Sequence, residues 1–382
     1  MVDAQRLASR LRSARQSAGL SQDQAAAELG LPRPAISLIE SGDRTVSAVE
    51  ITRLARLYGV GIAAILADEA DEKVLAHLRA PAGVDNDVRA DLDIYLAQFR
   101  QYAMLEGDVY GQQFYEVPSY PLPGGLIVAQ GEWLAVQERR RLDLGHRPIG
   151  SLVVLVESQG VKLLMPNLAS SQALAGAFVF GPSIGPCMIV NSADSPARQR
   201  FTLAHEYAHF LHAKGESNGE VCIPSLHRDP GEVRANAFAA AFLLPAPGVS
   251  AFLDDFRTPG SPTAPEHLVH LAYHFGVSFE AVAYRLLGMG YISADERARL
   301  MDSKLPSVAN ALGYDHQPGF GEPMPSRFRE IAIQAWRKEA ISASKLEELL
   351  GLKPGEARRA LGLPSPQGRR LKRASAAEPD WL

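Results

Sequence analysis

The chain has 382 residues, enough for two or three domains, and a formal net charge of −4, which argues against a general polyanion binder. Its two cysteines, Cys187 and Cys222, are too few for a disulfide framework. Met1-Val2-Asp3-Ala4-Gln5-Arg6 lacks an apolar signal core and no run of roughly 18 apolar residues occurs, so the expectation is a cytoplasmic protein without membrane association.

Arg6 to Ala18 has the apolar spacing of an amphipathic helix and ends at Gly19. Ser21 is placed to cap a short helix that Gly30 closes. Leu31-Pro32 then turns the chain into a second short helix, Arg33 to Glu40, closed by Ser41-Gly42. Short helix, Gly-containing turn and second short helix make a helix-turn-helix pattern. With Val49-Glu50-Ile51-Thr52-Arg53-Leu54-Ala55 and Tyr58-Gly59-Val60 behind it, the segment resembles the XRE (Cro/repressor-like) DNA-binding domain over residues 3–66. That resemblance implies double-stranded operator DNA as a partner and Arg33 to Ile39 as the recognition helix. It places Arg33, Pro34 and Ser37 towards base edges, and Gln22 and Arg44 towards phosphates. Residues 1–66 hold eight arginines and six acids, a net of only +2, so useful affinity calls for a homodimer. The competing reading is a helical interaction module with the same core: Ala25, Ala26, Ile36, Ile39 and Leu54.

Residues 67–124 read as a helical linker. An acidic patch (Asp68, Glu69, Asp71, Glu72) precedes a helix from Val88 to Leu105. Its stripe, Val88, Leu92, Tyr95, Leu96, Phe99 and Tyr102, is expected to pack on a partner helix, with a dimer contact as one form of this. Pro118, Pro121, Pro123, Gly124 and Gly125 mark a boundary. Trp133 to Leu144 then reads as a helix, and Leu152 to Val156 with Val161 to Leu164 as two short strands. Cys187 to Asn191 reads as a buried strand, giving an α+β arrangement.

His205-Glu206-Tyr207-Ala208-His209 follows on a helix that Ser195 caps, Pro196 opens and Lys214-Gly215 stops. Two histidines four apart share one helix face, about 6 Å apart along the axis, so both can reach one metal ion. Glu206 between them is placed to take a proton from water. A second helix runs from Asp229-Pro230 to Pro245, with Glu232, Ala235, Asn236 and Ala239 on one face. Its alanines allow a close approach that would make Glu232 a third ligand; the competing role for Glu232 is helix capping near Asp229. His212 reads as a supporting or surface residue, and His267, His270 and His274 as structural.

The run Arg198 to His212, followed by Glu232 to Pro245, resembles the ImmA/IrrE family of zinc metallopeptidases. Leu144-Gly145-His146-Arg147-Pro148-Ile149, Ile189-Val190-Asn191, Val277-Ser278 and Tyr284-Arg285-Leu286 extend the likeness over about residues 125–295. It implies a zincin-like fold, zinc held by His205, His209 and Glu232, and Glu206 as general base. It also implies a protein substrate such as a DNA-bound repressor. Tyr207-Ala208 departs from the family's usual aliphatic residue and Gly, and Arg234 stands where an acid is frequent.

The expected whole is multidomain. An all-α helix-turn-helix domain covers 1–66, an α+β zincin-like peptidase domain 125–300, a small helical module 301–365 and a basic flexible tail 366–382. After a loop-like stretch from Gly313 to Pro325, helices are expected over Arg327–Lys338, Ser342–Leu350 and Pro354–Leu361, with a second interaction surface as their role. Gly368-Arg369-Arg370-Leu371-Lys372-Arg373 reads as a solvated tail. The expected function is a DNA-binding transcriptional regulator carrying a zinc-dependent peptidase. The alternatives are a non-proteolytic metal-bearing sensor and a toxin–antitoxin component.

Overall fold

Short-range capping chemistry sets the N-terminal helices. The computed structural model describes residues 4–60, 86–113, 115–168, 175–181, 183–212, 229–256, 262–314, 316–353, 355–356 and 359. Within them α1 (Ala4–Ser17), α2 (Gln22–Leu29), α3 (Arg33–Ser41) and α4 (Ala48–Tyr58) form a helical domain. Ser21 Oγ accepts from Gln24 N at 3.1 Å and Ser47 Oγ from Glu50 N at 3.2 Å, and both partners return a bond, so α2 and α4 open on capping boxes. Gly30 ends α2 at φ 66°, a left-handed conformation that a side chain would strain. Leu11, Ala25, Ala26, Ile36, Ile39 and Leu54 share one buried cluster. Beside it Arg15 donates from Nε and Nη2 to Glu40 at 2.6 and 2.9 Å, a bidentate buried pair.

A three-stranded sheet organises the next region. β1 (Lys162–Leu164) lies parallel to the central β3 (Gly185–Val190), and β2 (Gly176–Gly181) lies antiparallel on its other side. Side chains alternate between the faces. Ala177, Val179, Cys187 and Ile189 form one buried cluster with Leu92, Leu96 and Phe99 of α5 (Asn86–Tyr110). The stripe expected to meet a helix therefore covers a sheet of its own chain; a periodic apolar face carries no information about what shape of surface it meets. Each of these three side chains contributes about 1.5–3 kcal/mol on burial.

The other face of the sheet, through Phe178, Met188 and Val190, joins the main core. That core is built with α6 (Ile127–Arg141), α7 (Leu152–Ser158), α8 (Pro196–His212) and α9 (Pro230–Leu243). α6 begins at Ile127, six residues before the expected start at Trp133. It meets α9 at Gly131, where an added Cβ would stand 2.4 Å from the Arg234 carbonyl oxygen and 2.8 Å from Ala237 Cβ. Only a glycine permits that approach.

Leu152 to Val156 is helical, not a strand. Its valines favour a strand locally, but Ser151 Oγ accepts from Val154 N at 3.2 Å, and Glu322 accepts from the Leu152 and Val153 amides at 3.1 and 3.2 Å. Capping from 170 residues away overrides the local preference. Glu322 also pairs with Arg200 in an ion pair shut off from solvent, and Arg200 Nη2 donates to the Ile149 carbonyl at 2.7 Å. The loop-like stretch before Pro325 is thus anchored to α7 and α8.

α10 (Ala246–Phe256), α11 (Pro265–Phe275), α12 (Phe279–Gly288), α13 (Ala294–Asp302) and α14 (Leu305–Ala311) complete the larger of two units, Met1–Ala103 with Phe114–Pro325. The smaller unit is Met104–Gln113 with Ser326–Leu382. It contains the end of α5, α15 (Arg327–Arg337) and α16 (Ala343–Leu349), with Ile331, Ala332, Ala335 and Leu346 buried. Lys338 Nζ donates to the Val109 carbonyl within it. Among the described residues no single helix is long and apolar enough to cross a membrane. The expected acidic patch Asp68–Glu72, the stop at Lys214-Gly215, most of the helix Pro354–Leu361 and the tail Gly368–Arg373 lie outside the described residues.

Candidate metal centre and nucleic-acid interface

His205 and His209 occupy successive turns of α8, with their Nε2 atoms 3.3 Å apart. α9 crosses close enough, through its alanines, to bring Glu232 Oε2 to 3.2 Å from His205 Nε2 and Oε1 to 3.5 Å from His209 Nε2. All three side chains are buried, and they are the one such group of possible metal ligands among the described residues. A tetrahedral zinc with bonds of about 2.0–2.1 Å needs ligand atoms about 3.3–3.4 Å apart. Two imidazole nitrogens and the Glu232 carboxylate, with one oxygen beside each imidazole, are a donor set and spacing that fit zinc and leave a fourth position for water or substrate. No sulfur donor is in the group.

The electrostatics suit a cation. Burial, reinforced by His205, holds His209 neutral, its pKa lowered to about 3, so an imidazole lone pair is available. Burial also disfavours charge on His205, but Glu232 and Glu206 outweigh it and raise its pKa. Asn236, one turn after Glu232 on α9, places Oδ1 3.1 Å from His205 Nδ1. A proton on Nδ1 shared with that oxygen orients the ring and leaves Nε2 to face the site.

Glu206 is 1% exposed and lies against β2, where the Phe178 amide donates to its carboxylate. Gly176 leaves room for it: a Cβ there would stand 3.2 Å from Glu206 Oε1 and 2.4 Å from Thr202 Cγ2. Burial raises its pKa to about 8, with His205 opposing and Glu232 adding to the rise. A second oxygen, Oε2, is buried without a hydrogen-bond partner. A carboxylate with one oxygen anchored and one uncommitted can accept a proton from a neighbouring water.

The departure at Tyr207 has its own support. Its ring stacks on Phe210, centroids 5.5 Å apart, and its hydroxyl donates to Glu138 of α6 at 2.5 Å. Glu138, fully buried, also accepts from Tyr120 at 2.5 Å and from Arg141 at 2.6 and 2.9 Å. Arg234 lies on α9 with Nη1 3.4 Å from Gln130 Oε1. His212 Nδ1 faces the Ala208 carbonyl at 2.9 Å, away from the ligand group. His267 accepts from the Ala264 amide, His270 bonds Tyr314 and His274 packs against Phe252. Sequence alone singles out neither Asn236 nor Glu138 as a supporting residue. The spacing of Asn236 from Glu232 holds that information, whereas nothing near Glu138 points to Tyr207.

In the N-terminal domain Arg33, Pro34 and Ser37 are exposed on α3. Arg33 is loosely paired with Asp23, 3.2 Å apart with both side chains about two-thirds exposed. Gln22 instead donates to Glu40 at 2.9 Å, and Arg44 to Glu50 at 2.6 Å. The three exposed residues and the two held ones therefore occupy different environments.

Two family models match the chain: a helix-turn-helix domain over residues 6–66 and the IrrE N-terminal-like domain over residues 156–287. The chain joins a helix-turn-helix domain to an IrrE N-terminal-like domain. The IrrE N-terminal-like match contains His205, Glu206, His209 and Glu232, and runs from the end of α7 to α12. No curated protein matches significantly. Among solved structures, the crystal structure of Bacillus thuringiensis PlcR in complex with the peptide PapR7 and DNA aligns over 91% of this chain and 92% of that one. Its identity is 12% and its TM-score 0.20, too low to bear on the fold.

Proposed function

We propose that this protein is a DNA-binding transcriptional regulator whose IrrE N-terminal-like domain is a zinc-dependent peptidase acting on a protein such as a repressor. The supporting observation is the placement of Glu206 beside three buried ligands whose spacing suits zinc. Zinc held by His205, His209 and Glu232 would supply Lewis acidity to a scissile carbonyl and to the attacking water. Glu206 takes the proton from that water through its uncommitted oxygen and passes it to the leaving amine. Phe178 holds the other oxygen still. The exposed residues of α3 read operator sequence, and a homodimer supplies the affinity that a net charge of +2 does not.

A second reading, a metal-bearing sensor without turnover, draws on the near-complete burial of Glu206, which restricts access by a polypeptide. Glu206→Gln separates the two. Its shape is conserved, so zinc and DNA binding persist, while loss of the base lowers cleavage roughly 10²–10⁴-fold. Mass analysis of candidate repressors after incubation with the zinc-loaded chain reads this directly. If Glu206→Gln regulates its target gene normally and His205→Ala does not, the peptidase reading is wrong and the sensor stands.

A further inference from the structure

From Arg33 to Glu40, α3 presents Arg33, Pro34, Ser37 and Leu38 to solvent and turns Ile36, Ile39 and Glu40 inward. Ile36 and Ile39 are 0% and 1% exposed in the core of the N-terminal domain, so the rotation of α3 about its axis is fixed. With about 3.6 residues per turn, the exposed positions fall into two adjacent rows. Arg33 and Ser37, one turn apart, make a polar row. Pro34 and Leu38, also one turn apart, make an apolar row beside it. The backbone at Leu38 is held as well. Its carbonyl accepts from the Asp43 and Arg44 amides at 3.0 and 3.1 Å, and from Ser41 Oγ at 3.2 Å.

Leu38 is 45% exposed and stands outside the cluster that holds the four helices together. Single exposed leucines are common on protein surfaces and mean little by themselves. This one is set apart by its place, on the second helix of the helix-turn-helix, in the row of Pro34 and beside the row of Arg33. Phosphates, sugars and the hydrogen-bonding edges of the bases give an isobutyl side chain no partner. The major groove of unmodified DNA offers it one apolar group, the C5 methyl of thymine. Arg33, in the neighbouring row, suits the O6 and N7 acceptors of guanine.

We infer that Leu38, with Pro34 beside it, is a specificity-determining residue that packs on a thymine methyl of the operator. The inference rests on the reading of α3 as the base-contacting helix. It adds to that reading the base that the apolar row selects, and a residue beyond Arg33, Pro34 and Ser37. Leu38 lies five residues after Arg33, about 7.5 Å along the helix axis. The thymine therefore stands within about two base steps of the base that Arg33 meets.

The test uses the full-length chain and a duplex selected from a random-sequence pool by repeated rounds of binding. Deoxyuridine then replaces each thymidine of that duplex in turn, which removes the C5 methyl and keeps every hydrogen-bonding group. Loss of one contacted methyl should weaken binding by the wild-type chain about three- to tenfold, at one thymine for each copy of the domain bound. Leu38→Ala should bind the thymine and uracil forms of that position equally. Leu38→Met, which keeps a long apolar side chain, should retain most of the preference. Both variants should unfold at the wild-type denaturant concentration, because Leu38 lies outside the core. Full preference for thymine in Leu38→Ala overturns the inference, and so does a selected duplex that no uracil substitution weakens. If selection enriches no sequence at all, the reading of α3 as a base reader fails, and the inference falls with it.

Discussion

The Tyr207 hydroxyl donates to Glu138 Oε1 at 2.5 Å, joining α8, which carries His205 and His209, to α6 across 69 positions of sequence. Glu138 lies fully out of solvent, so every donor it has must come from protein. Arg141 and Tyr120 provide the others. Tyr207→Phe removes one donor and leaves the ring stacking in place. We expect a loss of roughly 1–3 kcal/mol in denaturant unfolding of the full chain, the penalty for an under-satisfied buried acceptor. A change within a few tenths of a kcal/mol would mean that Arg141 and Tyr120 suffice.

On the proposed reading Asn236 would act on a bound zinc through His205, whose Nδ1 lies 3.1 Å from its Oδ1. Asn236→Ala frees the imidazole to rotate and to change tautomer, and zinc affinity should fall roughly 10–100-fold. Competition with a chromophoric chelator measures this without reference to turnover. Asn236→Asp, which still accepts from Nδ1, should recover most of the affinity. Equal affinity in the alanine variant would show that packing alone orients the ring.

Arg33 is poised to leave its partner. An exposed pair such as Arg33 with Asp23 contributes little to stability, so the guanidinium is available to a base edge. Arg33→Ala should weaken specific operator binding by roughly 1–3 kcal/mol and relax sequence preference at one position. Equal losses on operator and random duplex would instead assign Arg33 to a phosphate.

The pair Arg15–Glu40 makes the N-terminal domain acid-sensitive. Burial raises the Glu40 pKa, but hydrogen bonds from Arg15 and Gln22 outweigh it, and the net shift is downward from the ordinary 4.5. A carboxyl with a lowered pKa in the folded state stabilises above its unfolded value and loses that contribution as pH falls through the folded one. Amide exchange over residues 11–40 of the intact chain should therefore accelerate below about pH 4.5, the ordinary value. Glu40→Gln should flatten this dependence. A wild-type profile already flat there would exclude Glu40 as its source.

Some features were legible because their information lies within one or two helical turns. His205 and His209 share a face at any position in any fold, and Ser21, Gly30 and Gly42 cap and stop their helices through bonds that reach no more than five residues. Helix spacing likewise put Glu232 and Asn236 on one face. Other features depended on partners far along the chain. Leu152–Ser158 is a helix because Glu322 supplies acceptors at its first turn, and Leu92, Leu96 and Phe99 cover a sheet whose edge strand β2 had no clear pattern of its own. Tyr207 looked like a mere departure until Glu138 stood opposite it. Periodicity and capping are properties of the local backbone and are written locally. Which buried polar atom satisfies which, and what an apolar face lies against, are settled only when the whole chain competes for the same interior.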